Sequence, residues 1–94
     1  MFARRTILLR EAIGETIRDL RMRSHRTLRE VTADAQVSPG YLSELERGQK
    51  EASSEVLAAI CDALGVTVGE LMSEAADRML AYESDTVVSL RLAA

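Results

Sequence analysis

The stretch Ser38-Pro39-Gly40-Tyr41-Leu42-Ser43-Glu44-Leu45-Glu46-Arg47-Gly48 decides the fold. Ser38 has N-cap chemistry, because a serine hydroxyl can accept from the first free amides of a helix. Pro39 follows at the one helical position where a missing N–H costs nothing. Leu42 and Leu45 are three apart and face inward. Gly48 is placed to end the helix in a left-handed cap. The stretch therefore reads as a short helix over 38–47 with both ends chemically marked.

Working outward, Thr27 and Glu30 form a capping box that opens a second short helix, with Leu28, Val31, Thr32 and Ala35 on its inner side. Only Gln36-Val37 separate it from Ser38. Upstream, Leu9, Ile13, Ile17 and Leu20 recur at helical spacing and draw one stripe. This predicts a first helix from a Thr6 cap to about Ser24, broken by Ser24-His25-Arg26. Downstream, Ser53 or Ser54 caps a fourth helix carrying Val56, Leu57, Ile60, Cys61 and Leu64, which stops at Gly65. Thr67 and Glu70 form a second capping box and open a fifth helix through Val68, Leu71, Met72, Ala75, Met79 and Tyr82. In the final stretch, Asp85 to Ala94, Val88, Leu90 and Leu92 alternate with Ser89 and Arg91. A period of two reads as a strand, and an isolated strand either frays or pairs with a second copy.

Composition agrees with one small helical domain. The chain has 94 residues, 47% of them hydrophobic, with one proline and 3% aromatics. A core of this size is modest, so burial against a second subunit would help. Cys61 is the only cysteine, which excludes an internal disulfide and suits a reducing cytosol. On the inner face of the fourth helix it reads as a small hydrophobe. No apolar run has the length of a membrane span or a signal peptide, so a cytoplasmic location with no membrane partner is expected. His25 stands alone in a turn. Metal-ligand spacing, a glycine-rich phosphate loop and a nucleophile–base set are all missing, so no metal, cofactor or enzymatic activity is expected.

The net charge of −3 and pI of about 5.1 oppose binding to a polyanion. The distribution does not. Residues 1–50 hold ten Lys/Arg against seven Asp/Glu, while residues 51–94 hold two Arg against eight acids. That asymmetry suggests a basic front and an acidic back.

Two short helices joined by a few residues make a helix-turn-helix. The major groove admits one helix, and a preceding helix laid across the backbone holds it at a fixed angle. The implied partner is double-stranded DNA, with the 38–47 helix in the groove. Its exposed N-terminal side offers Pro39, Gly40, Ser43 and Glu44, and is poor in donors. Glu44 could accept from a cytosine amino group or be a plain solvated acid; Pro39 can touch a thymine methyl. Specificity would then lean on Arg29, Gln49, Lys50, DNA shape and the spacing of two half-sites. Arg26, Arg29, Tyr41, Arg47 and Lys50 are the phosphate candidates, and Thr27 and Ser38 complete the DNA-binding set.

The runs Thr27-Leu28-Arg29-Glu30-Val31, Val37-Ser38, Tyr41 to Gly48, then Leu57, Ile60 and Ala63-Leu64-Gly65-Val66 resemble the Cro/repressor (XRE) helix-turn-helix family. Within it the chain is most similar to actinobacterial transcriptional regulators of Clp protease genes, through Tyr41–Gly48, Lys50-Glu51 and Ser53-Ser54. The resemblance implies an all-α, five-helix domain over 10–72, with 73–94 as a C-terminal extension for dimerisation. It implies an internal pair, Arg21 with Glu46, that pins the first helix to the recognition helix. It also implies an activator of protease and stress genes that touches RNA polymerase. There are departures. Leu28 stands where the family has a phosphate-clamping Gln, His25 where it has Gly, and Ala52 where it has Pro. A homodimer is expected through Leu71, Ala75, Met79, Tyr82, Val88, Leu90 and Leu92. The alternative is an antitoxin-type module whose main partner is a toxin protein.

Overall fold

The structure is a computed structural model that describes the backbone of residues 7–93 and the side chains of residues 7–84. Its elements are α1 (Leu9–Arg23), α2 (Leu28–Ala35), α3 (Pro39–Glu46), α4 (Ser54–Leu64) and α5 (Val68–Ala93). The described residues contain no strand. The fold is all-α.

Local chemistry sets most of the boundaries. The Thr27 hydroxyl accepts from the Glu30 amide at 3.1 Å while Glu30 accepts from the Thr27 amide at 2.8 Å. Thr67 and Glu70 repeat the arrangement at 3.0 and 3.2 Å. Single side-chain caps start α3, where Ser38 accepts from Tyr41, and α4, where Ser53 accepts from Val56. Each satisfies an amide that the first turn leaves open. Thr6, expected to cap α1, lies outside the described residues. The helix begins instead after Leu8, whose amide donates to Glu11 at 2.8 Å.

Helix ends follow one pattern. After α3, Gln49 donates to the Glu44 carbonyl and Gly48 to that of Leu45, with Gly48 at φ +73°. After α4 the same pair of bonds runs from Val66 to Cys61 and from Gly65 to Asp62. After α1 it runs from Arg26 to Arg21 and from His25 to Met22, and His25 itself takes φ +57°. All three are Schellman ends. At α1 the left-handed position is filled by a residue with a Cβ, at a cost of about 1–2 kcal/mol. His25 in place of glycine therefore leaves the turn's shape intact.

The core lies where α1, α2, α3, α4 and the first turns of α5 meet. Ile17, Val31, Leu42, Leu45, Ile60, Cys61 and Leu71 are buried there. Burial also raises the Cys61 thiol pKa, with the nearby Glu70 carboxylate adding to the effect. A smaller cluster of Ile7, Ala12 and Ala75, with Met79 and Tyr82 against it, seals α5 onto the start of α1. Arg23 meets Glu74 at 2.7 Å on this seam, and Arg78 reaches Glu15 and Asp19. Leu9, expected on the inner stripe of α1, is 56% exposed, since α1 has only begun there.

Two expectations about the C-terminal segment are corrected. The backbone of 85–93 is helical, an extension of α5, and not a strand. A helix pairs its own amides and carbonyls within the segment, which a lone strand cannot do. Leu71 and Ala75 are core residues, 0% and 1% exposed, and have no surface to offer a second subunit. The side chains of Val88, Leu90 and Leu92 lie outside the described residues.

Candidate nucleic-acid interface

α2, the turn Gln36-Val37-Ser38 and α3 form the helix-turn-helix, with Gln36 turning the chain at φ +58°. One face of α1 fixes α3 from behind, and three contacts do this. Arg21 Nε and Nη2 donate to the two carboxylate oxygens of Glu46 at 2.7 and 2.9 Å. Arg21 Nη1 donates to the Arg26 carbonyl at 3.1 Å. The two side chains are 16% and 7% exposed, so this is a nearly dry, bidentate pair. The hydrogen bond to Glu46 raises the Arg21 pKa, against a smaller opposing effect of burial. Two turns further up α1, Gly14 lies so close to the end of α3 that a Cβ there would sit 2.1 Å from the Leu45 carbonyl oxygen. At the top of the face, Arg10 Nε donates to the Gly48 carbonyl at 3.1 Å. Each residue type suits its contact. Arginine offers a planar fork to a carboxylate, glycine lets two backbones meet, and a second arginine sets a cation over terminal carbonyls.

In front, Pro39 and Gly40 are exposed, and a Cβ on Gly40 would meet nothing within 4 Å. Ser38 is exposed and its hydroxyl serves as the cap. Tyr41 is half-buried, and its hydroxyl donates to the Glu51 carbonyl at 3.1 Å, tying α3 to the following loop. Ser43 accepts from Arg47, whose guanidinium also reaches the Gln49 side-chain oxygen Oε1 at 3.4 Å. Glu44 lies 3.7 Å from Lys50 Nζ, so this acid on the face carries its own counter-charge. Arg29 is exposed on α2 beside the Thr27 cap.

Arg26 is placed differently from expectation. It donates to the Ala63 carbonyl and, at 2.5 Å, to Asp34. Packing of α2 on α4 brings it to the negative carbonyl end of α4, where a cation is stabilising. It ties two helices together within the protomer. Sequence reasoning passed over Gly14 and Arg10. Glycine inside a helix costs about 1 kcal/mol relative to alanine, which is the signal that could have found Gly14. Nothing in the sequence singles out Arg10.

Comparison with known proteins agrees with this geometry. Residues 12–75 match the family described as helix-turn-helix domain. The transcriptional regulator ClgR of Mycobacterium tuberculosis is 51% identical over 76 residues, covering 81% of this chain and 68% of the relative. The crystal structure of the clp gene regulator ClgR from Corynebacterium glutamicum is similar at a TM-score of 0.88 and 46% identity, covering 94% of each chain. The restriction-modification controller protein C.Esp1396I has a TM-score of 0.73 at 17% identity, covering 80% of this chain and 97% of its own. At that identity the likeness is one of fold.

Proposed function

The chain belongs to the helix-turn-helix domain family and is a DNA-binding transcription regulator, and from that premise we propose that it binds inverted-repeat operators as a homodimer and activates genes of proteolysis and stress response. The observation that carries this is the mounting of α3. α1 grips its C-terminal end through Arg21–Glu46 and Gly14, while its N-terminal face stays open to a groove. The relative from Corynebacterium glutamicum is a clp gene regulator, and the same gene class is proposed here. Backbone contacts fall to Arg29, Arg47 and Lys50, with Gln49 beside them.

Residues 73–94 are the proposed dimerisation segment. The first turns of α5 close the core, and further along Met79 and Tyr82 are half-buried while Leu80 is 63% exposed. Val88, Leu90 and Leu92 continue that segment. Activation would proceed through contact with RNA polymerase from the acidic half of the chain.

Selection of bound sites from random duplex DNA tests the proposal. The expected product is an inverted repeat whose half-site centres lie about 34 Å, or one helical turn, apart. Enrichment of an asymmetric site, or of none, would overturn it. Deleting residues 84–94 should shift sedimentation towards monomer and weaken DNA binding together; an unchanged profile would remove the tail from the interface.

A further inference from the structure

Between α1, α2 and α3 lies an open crevice of about 290 Å³ lined by Arg18, Arg21, Leu28, Ser43, Glu46 and Arg47. Arg21 and Glu46 cancel each other within their own ion pair. Arg47 is hydrogen-bonded to Ser43 and Gln49, two neutral partners that leave its charge uncompensated. The Arg18 side chain is exposed and, among the described residues, has neither an ion pair nor a hydrogen bond. The acids nearest it along α1, Glu15 and Asp19, are engaged with Arg78 of α5. The crevice is thus a concavity with two uncompensated guanidinium groups, an apolar wall at Leu28 and a rigid floor at Arg21–Glu46.

We infer that Arg18 is a DNA-backbone contact that clamps one phosphodiester together with Arg47, in a crevice adjoining the recognition helix. The inference rests on the DNA-binding reading and deepens it. Three observations select this partner. A concave site carrying one sign of charge concentrates counter-charge. Guanidinium forks match phosphate oxygens in two-point contacts. Ser43 and Arg47 lie on α3 and at its end, the helix placed in the groove, so the strand that borders the groove passes this crevice. Arg18 stands outside α2 and α3, so helix-turn-helix periodicity alone does not point to it.

The test measures binding of the full-length chain to the selected duplex and to random duplex across a salt series. Arg18→Gln should weaken binding to both by about eightfold per protomer at 0.1 M salt, and lower the salt slope by about 0.9 per protomer. Arg18→Lys should keep most of the slope, because it keeps the charge. A methylphosphonate placed at successive backbone positions should cost the wild type more than Arg18→Gln at one position in each half-site, the loss that remains in the variant being that of the Arg47 contact. Unchanged affinity and slope in Arg18→Gln would overturn the inference. So would an Arg18→Lys protein as weak as Arg18→Gln, or equal methylphosphonate losses at every position. Failure of the DNA-binding reading looks different: the wild type would bind no duplex at all.

Discussion

The two ends of α3 are built on opposite plans. At its C-terminal end a nearly dry carboxylate is held by two guanidinium hydrogen bonds, two carbonyls press on a glycine of α1, and the chain leaves through a left-handed glycine. At its N-terminal end stand a serine cap, a proline and a glycine, all exposed. One end is overdetermined and the other is spare. The difference separates two roles. Orientation of the helix is set inside the protein, before any DNA is met, and the groove-facing end is left small enough to fit. In the proposed complex, affinity is then distributed over the arginines around the helix. If this division is right, substitutions at the C-terminal end should damage the fold, and those at the N-terminal end should barely touch it.

The largest effect is expected for Arg21→Ala. It leaves the Glu46 carboxylate, 7% exposed, without its counter-charge, and breaking a buried pair from one side costs about 3–5 kcal/mol. That is a large part of the stability of a small domain. Urea unfolding measures it. The double substitution Arg21→Met with Glu46→Leu should recover most of the loss, because the penalty belongs to the orphaned charge. A single substitution within about 1 kcal/mol of wild type would collapse the contrast between the two ends.

The next effect sets two glycines against each other. Gly14→Ala should destabilise by about 2–3 kcal/mol, since its Cβ meets the Leu45 carbonyl and one of two packed helices must retreat. Gly40→Ala should be neutral or stabilise by up to about 1 kcal/mol, because open space surrounds it and alanine is the better helix former. Thermal melts of the two proteins decide the matter by sign. Equal signs would mean that α1 does not clamp α3 as tightly as the geometry says.

What the sequence discloses follows the same division between local and distant. Ser38-Pro39, Thr27 with Glu30 and Thr67 with Glu70 are legible because a cap joins atoms three residues apart. Gly48 and Gly65 are legible because each takes a left-handed φ at a helix end, although a Cβ at Gly48 would also press on Glu11 of α1, which the sequence does not show. Gly14 is not, since the carbonyls that require it belong to another helix. Arg26 reads as a basic residue at the front, and nothing local announces the Ala63 carbonyl that engages it. The helical repeat places Leu71 and Ala75 on one face of α5 but cannot say whether that face meets α1 or a second chain. The alternation of Val88, Leu90 and Leu92 spans too few residues to separate a strand from the end of a long helix. The Arg21–Glu46 pair joins residues far apart in sequence, and family resemblance supplied it where periodicity could not.

A smaller effect is expected at the spare end. Ser38→Ala removes the hydroxyl that accepts the Tyr41 amide at 3.1 Å, and the loss of such a cap costs about 1 kcal/mol. Pro39 and the packing of Leu42 and Leu45 keep the helix in place, so α3 should survive at physiological temperature. A loss as large as that of Arg21→Ala would show that the N-terminal end, too, orients the helix.

The smallest effect separates charge from geometry at the start of α2. The hydrogen bonds from the Thr27 amide and side chain hold the Glu30 carboxyl below the ordinary carboxylate range, with Arg26 adding a smaller pull in the same direction and Asp34 opposing it. The folded protein therefore binds this proton less tightly than the unfolded chain. The resulting stabilisation is complete above the unfolded pKa and is lost as pH falls through the folded one. Glu30→Gln keeps an oxygen that can accept from Thr27 but has no charge to lose. Melting temperatures of the two proteins, compared from about pH 7 to about pH 3, should differ slightly at neutral pH and converge in acid. Taking the difference cancels the other carboxylates, which titrate in both. A gap that persists at the acid end would mean that Glu30 acts through helix packing instead, and the cap would then resemble the rigid end of α3 more than the spare one.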